Sequence, residues 1–397
     1  MAEKKKIPVL RFPEFEGEWK KKKIKDLGHV ITGNTPKTSR NDFYGGKRLF
    51  VSPADLNGVR HISETFTKVT EKGFDTGREI RKGSTMFVCI GSTIGKVAQA
   101  AVNCITNQQI NSIIPNGQYS DNFIFSLLER NARQIKTLAA IQAVPIINKT
   151  TFSKVKIVVP SLPEQTKIAN FLTAIDTRIQ QLNRKKTLLE QYKKGVMQKI
   201  FSQEIRFRDD EGKGFPEWEL KRGKDLFQSH SNKNHNGELA ILSASQEFGM
   251  IYRGEGGIQI QSSDKSIKSY KIVEKGDFVI SLRSFQGGIE YSTLKGICSP
   301  AYIILKPKVP INELFFKFYF KKDSFIERLS KTVVGIRDGK QISYDAFGGL
   351  KLIIPSVKEQ QKIANFLTAI DNKIALVSTQ IQKTTAYKTG LLQQMFV

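Results

Sequence analysis

The decapeptide KIANFLTAID stands at 167–176 and again, letter for letter, at 362–371, 195 positions further on. PSLPEQ at 160–165 answers PSVKEQ at 355–360, and Tyr192, Gly195 and Phe201 recur in register as Tyr387, Gly390 and Phe396. The block 152–201 therefore returns as 347–396 without a net insertion. The chain is a tandem duplication, and its 397 residues suit two copies of a unit of about 200 residues, each able to bury a core.

Each repeated block opens on Ser-x-x-Glu, at Ser161 and Glu164 and at Ser356 and Glu359, the spelling of a helix-starting capping box. From there Ile168, Leu172, Ile175, Ile179, Leu182, Leu189, Val196 and Ile200 follow alternating steps of four and three, with Lys186 and Lys193 in the two remaining seam positions. The second copy keeps the pattern with Ile363, Leu367, Ile370, Ile374, Val377, Ile381, Leu391 and Met395. The spacing predicts two helices of about 55 Å whose seams pair with each other, antiparallel if a pseudo-twofold axis relates the copies.

Ahead of each helix lies a longer region with the same order of elements and different letters. Strands are expected at 82–90 and 111–115, then a helix over 121–138; in the second copy at 275–282 and 301–305, then a helix over 312–331. A strand-like stretch precedes Pro160 and Pro355, and LeuArgPhe at 10–12 with Trp19 corresponds to IleArgPhe at 205–207 with Trp218. Matched helices joined to divergent bodies separate two jobs: the helices hold one geometry, and each body meets a different target.

Sixty-three Lys and Arg against 37 Asp and Glu give a net charge of +26, which selects a polyanionic partner, nucleic acid first. A membrane is excluded by the lack of any 18-residue apolar run and of a signal peptide, so the chain reads as cytoplasmic. Cys89, Cys104 and Cys298 have no close pair and read as free buried thiols; His230 and His235 lack the neighbours of a metal site. LysLysLysLys at 20–23 reads as a solvated face.

Catalytic motifs fail on spacing. GlySerThrIleGlyLys at 91–96 has three residues between its glycines rather than four, and Val97 stands where a phosphate loop needs a hydroxyl. A tight turn between strands is expected instead, its amides and Lys96 open to a phosphate. No AsnProProTyr-type motif for a flipped adenine occurs, and Asp209, Asp210 and Glu211 read as loop charges in a linker. No catalytic residue is assigned, and a non-catalytic role is expected.

At this point the chain resembles the specificity subunits of type I restriction-modification enzymes over its whole length. The resemblance rests on ThrGlyAsnThrPro at 32–36 followed by AspPheTyrGlyGly, and on the repeated ProSer-x-x-GluGln and IleAlaAsnPheLeuThrAlaIleAsp segments. It implies an α+β fold in which a mixed α/β target-recognition domain and a long helix occur twice, the helices pairing as an antiparallel coiled coil. The expected divisions are 1–159 and 204–354 for the recognition domains and 160–203 and 355–397 for the helical spacers. It implies too that each domain reads one half of a bipartite target in double-stranded DNA. Two adenine methyltransferase subunits using S-adenosylmethionine, and a restriction subunit using ATP and magnesium, would carry the chemistry. A freestanding two-domain DNA-binding regulator is the alternative.

Phosphates are gripped by Lys and Arg, and base edges are read by Arg, Lys, Asn and Gln. Loops rich in both supply the DNA-binding candidates: Lys37, Arg40, Asn41, Ser92, Thr93, Lys96, Gln108 and Gln109 in the first body, and Arg253, Arg283, Ser284, Gln286, Arg337, Lys340 and Gln341 in the second.

Overall fold

A computed structural model describes residues 6–139, 144–254, 267–333 and 342–397. In the first copy the lysine run is the strand Lys20–Lys23, largely exposed, pairing antiparallel with Lys156–Val159 and placing Lys20 opposite Val159. The second copy repeats the pair as Glu219–Arg222 with Lys351–Ile354, Glu219 opposite Ile354.

The main sheet of the first body runs in the order Gly28–Thr32, Ile110–Pro115, Thr85–Val88, Val97–Ala100, His61–Ile62. That of the second runs Phe227–His230, Ile303–Pro307, Phe278–Ile280, Glu290–Tyr291. Register is shared as well as order. Gly28 faces Pro115 and Thr85 faces Ile113 in one; Phe227 faces Pro307 and Phe278 faces Leu305 in the other. Thr85–Val88 and Phe278–Ile280 are buried at every position, so all but Thr85 of their residues are apolar, and the backbone has kept its pairing while the letters changed. Both strands begin later than expected because Gly83 and Gly276, at φ +87° and +98°, make turns just ahead of them.

The expected helix over 121–138 is Asp121–Lys136, its first turn capped by the Ser120 hydroxyl. The single helix expected over 312–331 is a correction: two helices form, Glu313–Tyr319 and Asp323–Ser330. The break turns the chain so that Phe320 and Phe325, ring centroids 5.0 Å apart, both enter an aromatic core with Phe316 and Phe347.

The long helices are Leu162–Phe201 and Val357–Gln394, and every apolar seam residue is buried or half-buried. The chain forms two compact units, one of Met1–Arg184 with Ser378–Val397 and the other of Lys185–Val377, so each long helix is divided between them. In the first unit Ile168 and Leu172 share a core with Leu391 and Met395, while Asp176 meets Lys388 at 2.7 Å. In the second, Val196 and Ile200 pack with Ile363 and Leu367, and Lys193 meets Asp371 at 2.6 Å. Rising numbers on one helix meet falling numbers on the other, so within each unit the pairing is antiparallel. The lysine in the first helix's seam is thus one half of an ion pair that recurs, with the copies exchanged, as Lys388 with Asp176.

The capping-box expectation holds for the serine of the second copy, whose hydroxyl accepts from the Glu359 amide at 3.4 Å. The glutamates do something else. Glu164, 2 % exposed, takes the Arg11 guanidinium on both oxygens at 2.8 Å and the Trp19 indole N–H at 3.2 Å. Glu359, fully buried, takes Arg206 at 3.3 and 3.0 Å and Trp218 at 3.2 Å. This explains why Leu-Arg-Phe…Trp and Ile-Arg-Phe…Trp recur: the arginine and tryptophan clamp the segment ahead of each body to the start of its helix. Removing one member of such a pair strands the other charge. Glu359→Ala is therefore expected to lower unfolding free energy by about 3 kcal/mol, measured by urea denaturation; a loss under about 1 kcal/mol would mean that water satisfies Arg206 and Trp218.

Candidate nucleic-acid interface

The first body's candidates sit on three loops that the fold brings together. ThrGlyAsnThrPro leaves the end of Gly28–Thr32 and crosses the segment that begins at Thr106. Gly33 is required there, because a β-carbon would lie 2.2 Å from the Thr106 carbonyl oxygen. Asn34 then donates to the Thr76 carbonyl at 2.9 Å, Thr35 to the Gln108 side chain at 2.6 Å, and Tyr44 to the Pro36 carbonyl at 2.7 Å. The loop bearing Lys37, Arg40 and Asn41, all exposed, is thereby fixed at both ends.

The turn 91–96 joins Thr85–Val88 to Val97–Ala100, as expected from the failed phosphate-loop spacing. Gly95 N–H bonds the Val88 carbonyl and Lys96 N–H the Thr93 carbonyl, which leaves Ser92 exposed at the tip. Gln109 lies beside it: its carbonyl accepts from Cys89 N–H at 2.8 Å, and its side-chain nitrogen is 3.6 Å from where a Gly91 β-carbon would stand. Four candidate side chains are already engaged: Gln108 accepts from Thr35 and Gln109 accepts from the Asn107 amide at 2.9 Å, and two cations are held as well. Arg40 grips Asp42 with two 2.8 Å bonds and lies over the Phe43 ring, and Lys96 Nζ reaches the Pro53 carbonyl at 3.4 Å.

In the second body the turn 281–288 occupies the same place, between Phe278–Ile280 and Glu290–Tyr291. Arg283 and Gln286 are exposed on it. Ser284 is a correction: it is 1 % exposed, and its hydroxyl accepts from the Ser281 amide at 2.8 Å, so it shapes the turn from inside. Arg253 follows the hairpin Leu242–Ser245 and Gly249–Tyr252, and donates to the Tyr270 hydroxyl at 3.1 Å. Burial raises the Tyr302 phenol, and the charges of Arg253 and Arg283 oppose that rise. Arg337, Lys340 and Gln341 lie outside the described residues.

Sequence reasoning missed what holds this turn. Lys321 Nζ contacts the Gln246 and Gly287 carbonyls at 3.2 and 2.8 Å and both Glu290 oxygens at 2.8 Å. It stands at the helix break, which no periodicity could reveal. Burial raises the Glu290 carboxyl, opposed by Lys321. Cys89, Cys104 and Cys298 are free and buried, and burial pushes each thiol up to about 12. Among the described residues no group of three or more His, Cys, Asp or Glu is placed to hold a metal, and no helix is long and apolar enough to cross a membrane.

A model of the type I restriction modification DNA specificity domain matches the chain twice, at residues 16–191 and 216–386, and the chain belongs to that family. It is 26 % identical over 398 residues to the type I restriction enzyme MjaVIII specificity subunit of Methanocaldococcus jannaschii, covering 94 % of this chain and 90 % of that one. To the HindI specificity subunit of Haemophilus influenzae it is 33 % identical over 148 residues, 36 % of this chain and 32 % of the relative. The crystal structure of a type I restriction-modification S subunit from M. genitalium matches with a TM-score of 0.62 over 98 % of this chain and 99 % of that one, at 16 % identity, a likeness of fold.

Lys321→Met would leave Glu290, 1 % exposed, without its cation. The expected result is a loss of about 3 kcal/mol of stability at alkaline pH, where the buried carboxylate is charged, shrinking as the carboxyl is protonated at lower pH, read by denaturation at several pH values. An equal loss at every pH would assign the effect to lost packing and to the two carbonyl contacts with Gln246 and Gly287, not to the Glu290 charge.

Proposed function

We propose that this chain is the DNA-reading subunit of a type I restriction-modification complex, each body recognising one half of a bipartite sequence. One observation supports it above the rest: two bodies with the same strand order and register present different polar letters on the equivalent turn, Ser92, Thr93 and Lys96 in one and Arg283 and Gln286 in the other. A shared scaffold with exchanged letters is what two readers of unlike half-sequences require. The +26 charge supplies the sequence-independent grip on phosphates. In this reading the long helices serve as the spacer, and separate adenine methyltransferase subunits transfer methyl groups from S-adenosylmethionine. Restriction subunits bring ATP and magnesium.

Replacing residues 1–150 with the equivalent region of a relative is expected to change one half of the methylated sequence and leave the other, read by genome-wide mapping of methyladenine. A change in both halves would end the two-reader model. The purified chain alone is expected to transfer no tritiated methyl group to DNA and to support transfer once a methyltransferase subunit is added. Lys37→Ala is expected to weaken binding to all sequences alike and to reduce the salt slope of log affinity by about one, measured by titration at several salt concentrations; a change confined to some sequences would make Lys37 a base reader.

A further inference from the structure

Of the chain's 26 phenylalanines only Phe66, Phe171 and Phe248 are exposed. Phe171, at 36 %, has the Phe12 ring edge-on at 5.9 Å. That leaves Phe66, 82 % exposed, and Phe248, 69 % exposed, one in each body.

Phe66 leads into the strand Thr67–Val69, which places Thr67 opposite Phe50. Its amide donates to Asp55 at 2.8 Å, and Asp55, 6 % exposed, also takes the Ser52 amide and hydroxyl at 2.7 Å. Between those two residues the Pro53 carbonyl meets Lys96, so the mount of Phe66 touches the turn 91–96. In the second body Phe248 stands at the tip of the hairpin formed by Leu242–Ser245 and Gly249–Tyr252, its amide on the Ser245 hydroxyl at 3.2 Å. Gly249, at φ +75°, has no room for a β-carbon, which would lie 2.5 Å from the Tyr291 carbonyl oxygen. The Gln246 side chain is so close to Gly287 that a β-carbon there would lie 2.6 Å from it, and Lys321 joins the carbonyls of both residues. The hairpin tip is thus stapled to the turn 281–288.

A lone apolar side chain on a surface is ordinary. Here each body sets one phenyl ring on a fixed mount beside the equivalent turn, by a loop into a strand in one and a hairpin tip in the other. We infer that Phe66 and Phe248 are wedges, each entering a base step of its own half-site in duplex DNA and unstacking it; this rests on the DNA-reading function proposed above. A phenyl ring has no donor or acceptor and reads no base edge. It offers a flat apolar face to base pairs that have been parted. Lys96 and Arg283 on the neighbouring turns supply charge for the flanking phosphates. The fixed mounts matter because a ring on a yielding loop would bend away before the stack opened. Pyrimidine–purine steps open most easily, so each half-sequence is expected to carry one at its wedge.

The test uses the full chain assembled with methyltransferase subunits, and duplexes of the target found by methyladenine mapping. In these 2-aminopurine, which brightens on unstacking, replaces one base at a time outside the methylated adenine. One bright position is expected in each half. Phe66→Ala should darken the position in the half that the 1–150 exchange reassigns, and Phe248→Ala the other, each lowering affinity about tenfold without changing the salt slope. Phe66→Leu, an aliphatic wedge, should stay bright. Thermal melting of the alanine variants should match the wild type, since exposed rings hold no core. A stiffer step at the bright position should weaken binding by the wild type and leave the alanine variant unaffected. Brightness that survives in the alanine variants, or a wild-type complex that binds its target without any, would overturn the wedges. A wild-type complex with no preference for its target over a scrambled duplex would overturn the DNA-reading function itself. Alanine variants that keep DNA affinity and lose methyltransferase uptake would make the rings protein contacts instead.

Discussion

A seam of isoleucine and leucine is nearly indifferent to sliding by a heptad, but a lysine that must meet an aspartate is not. In the first unit Lys388 and Asp176 have side chains 10 % and 13 % exposed, and Glu129 and Arg60 complete the group at 2.6 and 2.7 Å. A slipped register would leave those charges facing apolar seam residues at a cost of about 3–5 kcal/mol. The duplicated pair, Lys193 with Asp371, is about a quarter exposed and so discriminates less. Within each unit, everything hung on the helices inherits the position this pairing sets.

The repeat made the architecture legible. Ten identical residues 195 positions apart fixed the copies, and the seam spacing fixed two long paired helices. The strands were legible because Thr85–Val88 and Phe278–Ile280 are buried through and through, and apolar runs of that length betray themselves. The glutamates at the helix starts misled, because Ser-x-x-Glu spells a local cap while Arg11 and Arg206 compete from 153 residues away. A local pattern cannot weigh a partner it does not contain. The break at 320–322 stayed hidden for a related reason: phenylalanines at 315, 316, 318, 320 and 325 satisfy one helix or two, and only the surrounding aromatic core decides.

The candidate loops were legible in residue type and less so in geometry. Loops rich in Lys, Arg, Asn and Gln did converge, through contacts such as Thr35 with Gln108. Ser284 did not face outward, because a serine inside a tight turn serves its own backbone as readily as a ligand. Nor did sequence show that Arg40 is held by Asp42; to read a base it would have to exchange that carboxylate for the DNA.

Each unit closes its core with the end of the other copy's helix. Phe396 stacks on Phe123 and meets Trp19 in the first, and Phe201 meets Phe315 in the second. During synthesis the second unit, residues 185–377, has all its parts as soon as Val377 clears the ribosome. The first must wait, though it was begun earlier, until residues 378–397 bring Leu391, Met395 and Phe396 to it. An unfinished first body therefore spends the making of some 210 residues, from 185 to 396, with its Trp19 and Phe123 pocket uncovered, at about 5–20 residues per second a delay of roughly 10–40 seconds in which chaperones and stray chains compete for it.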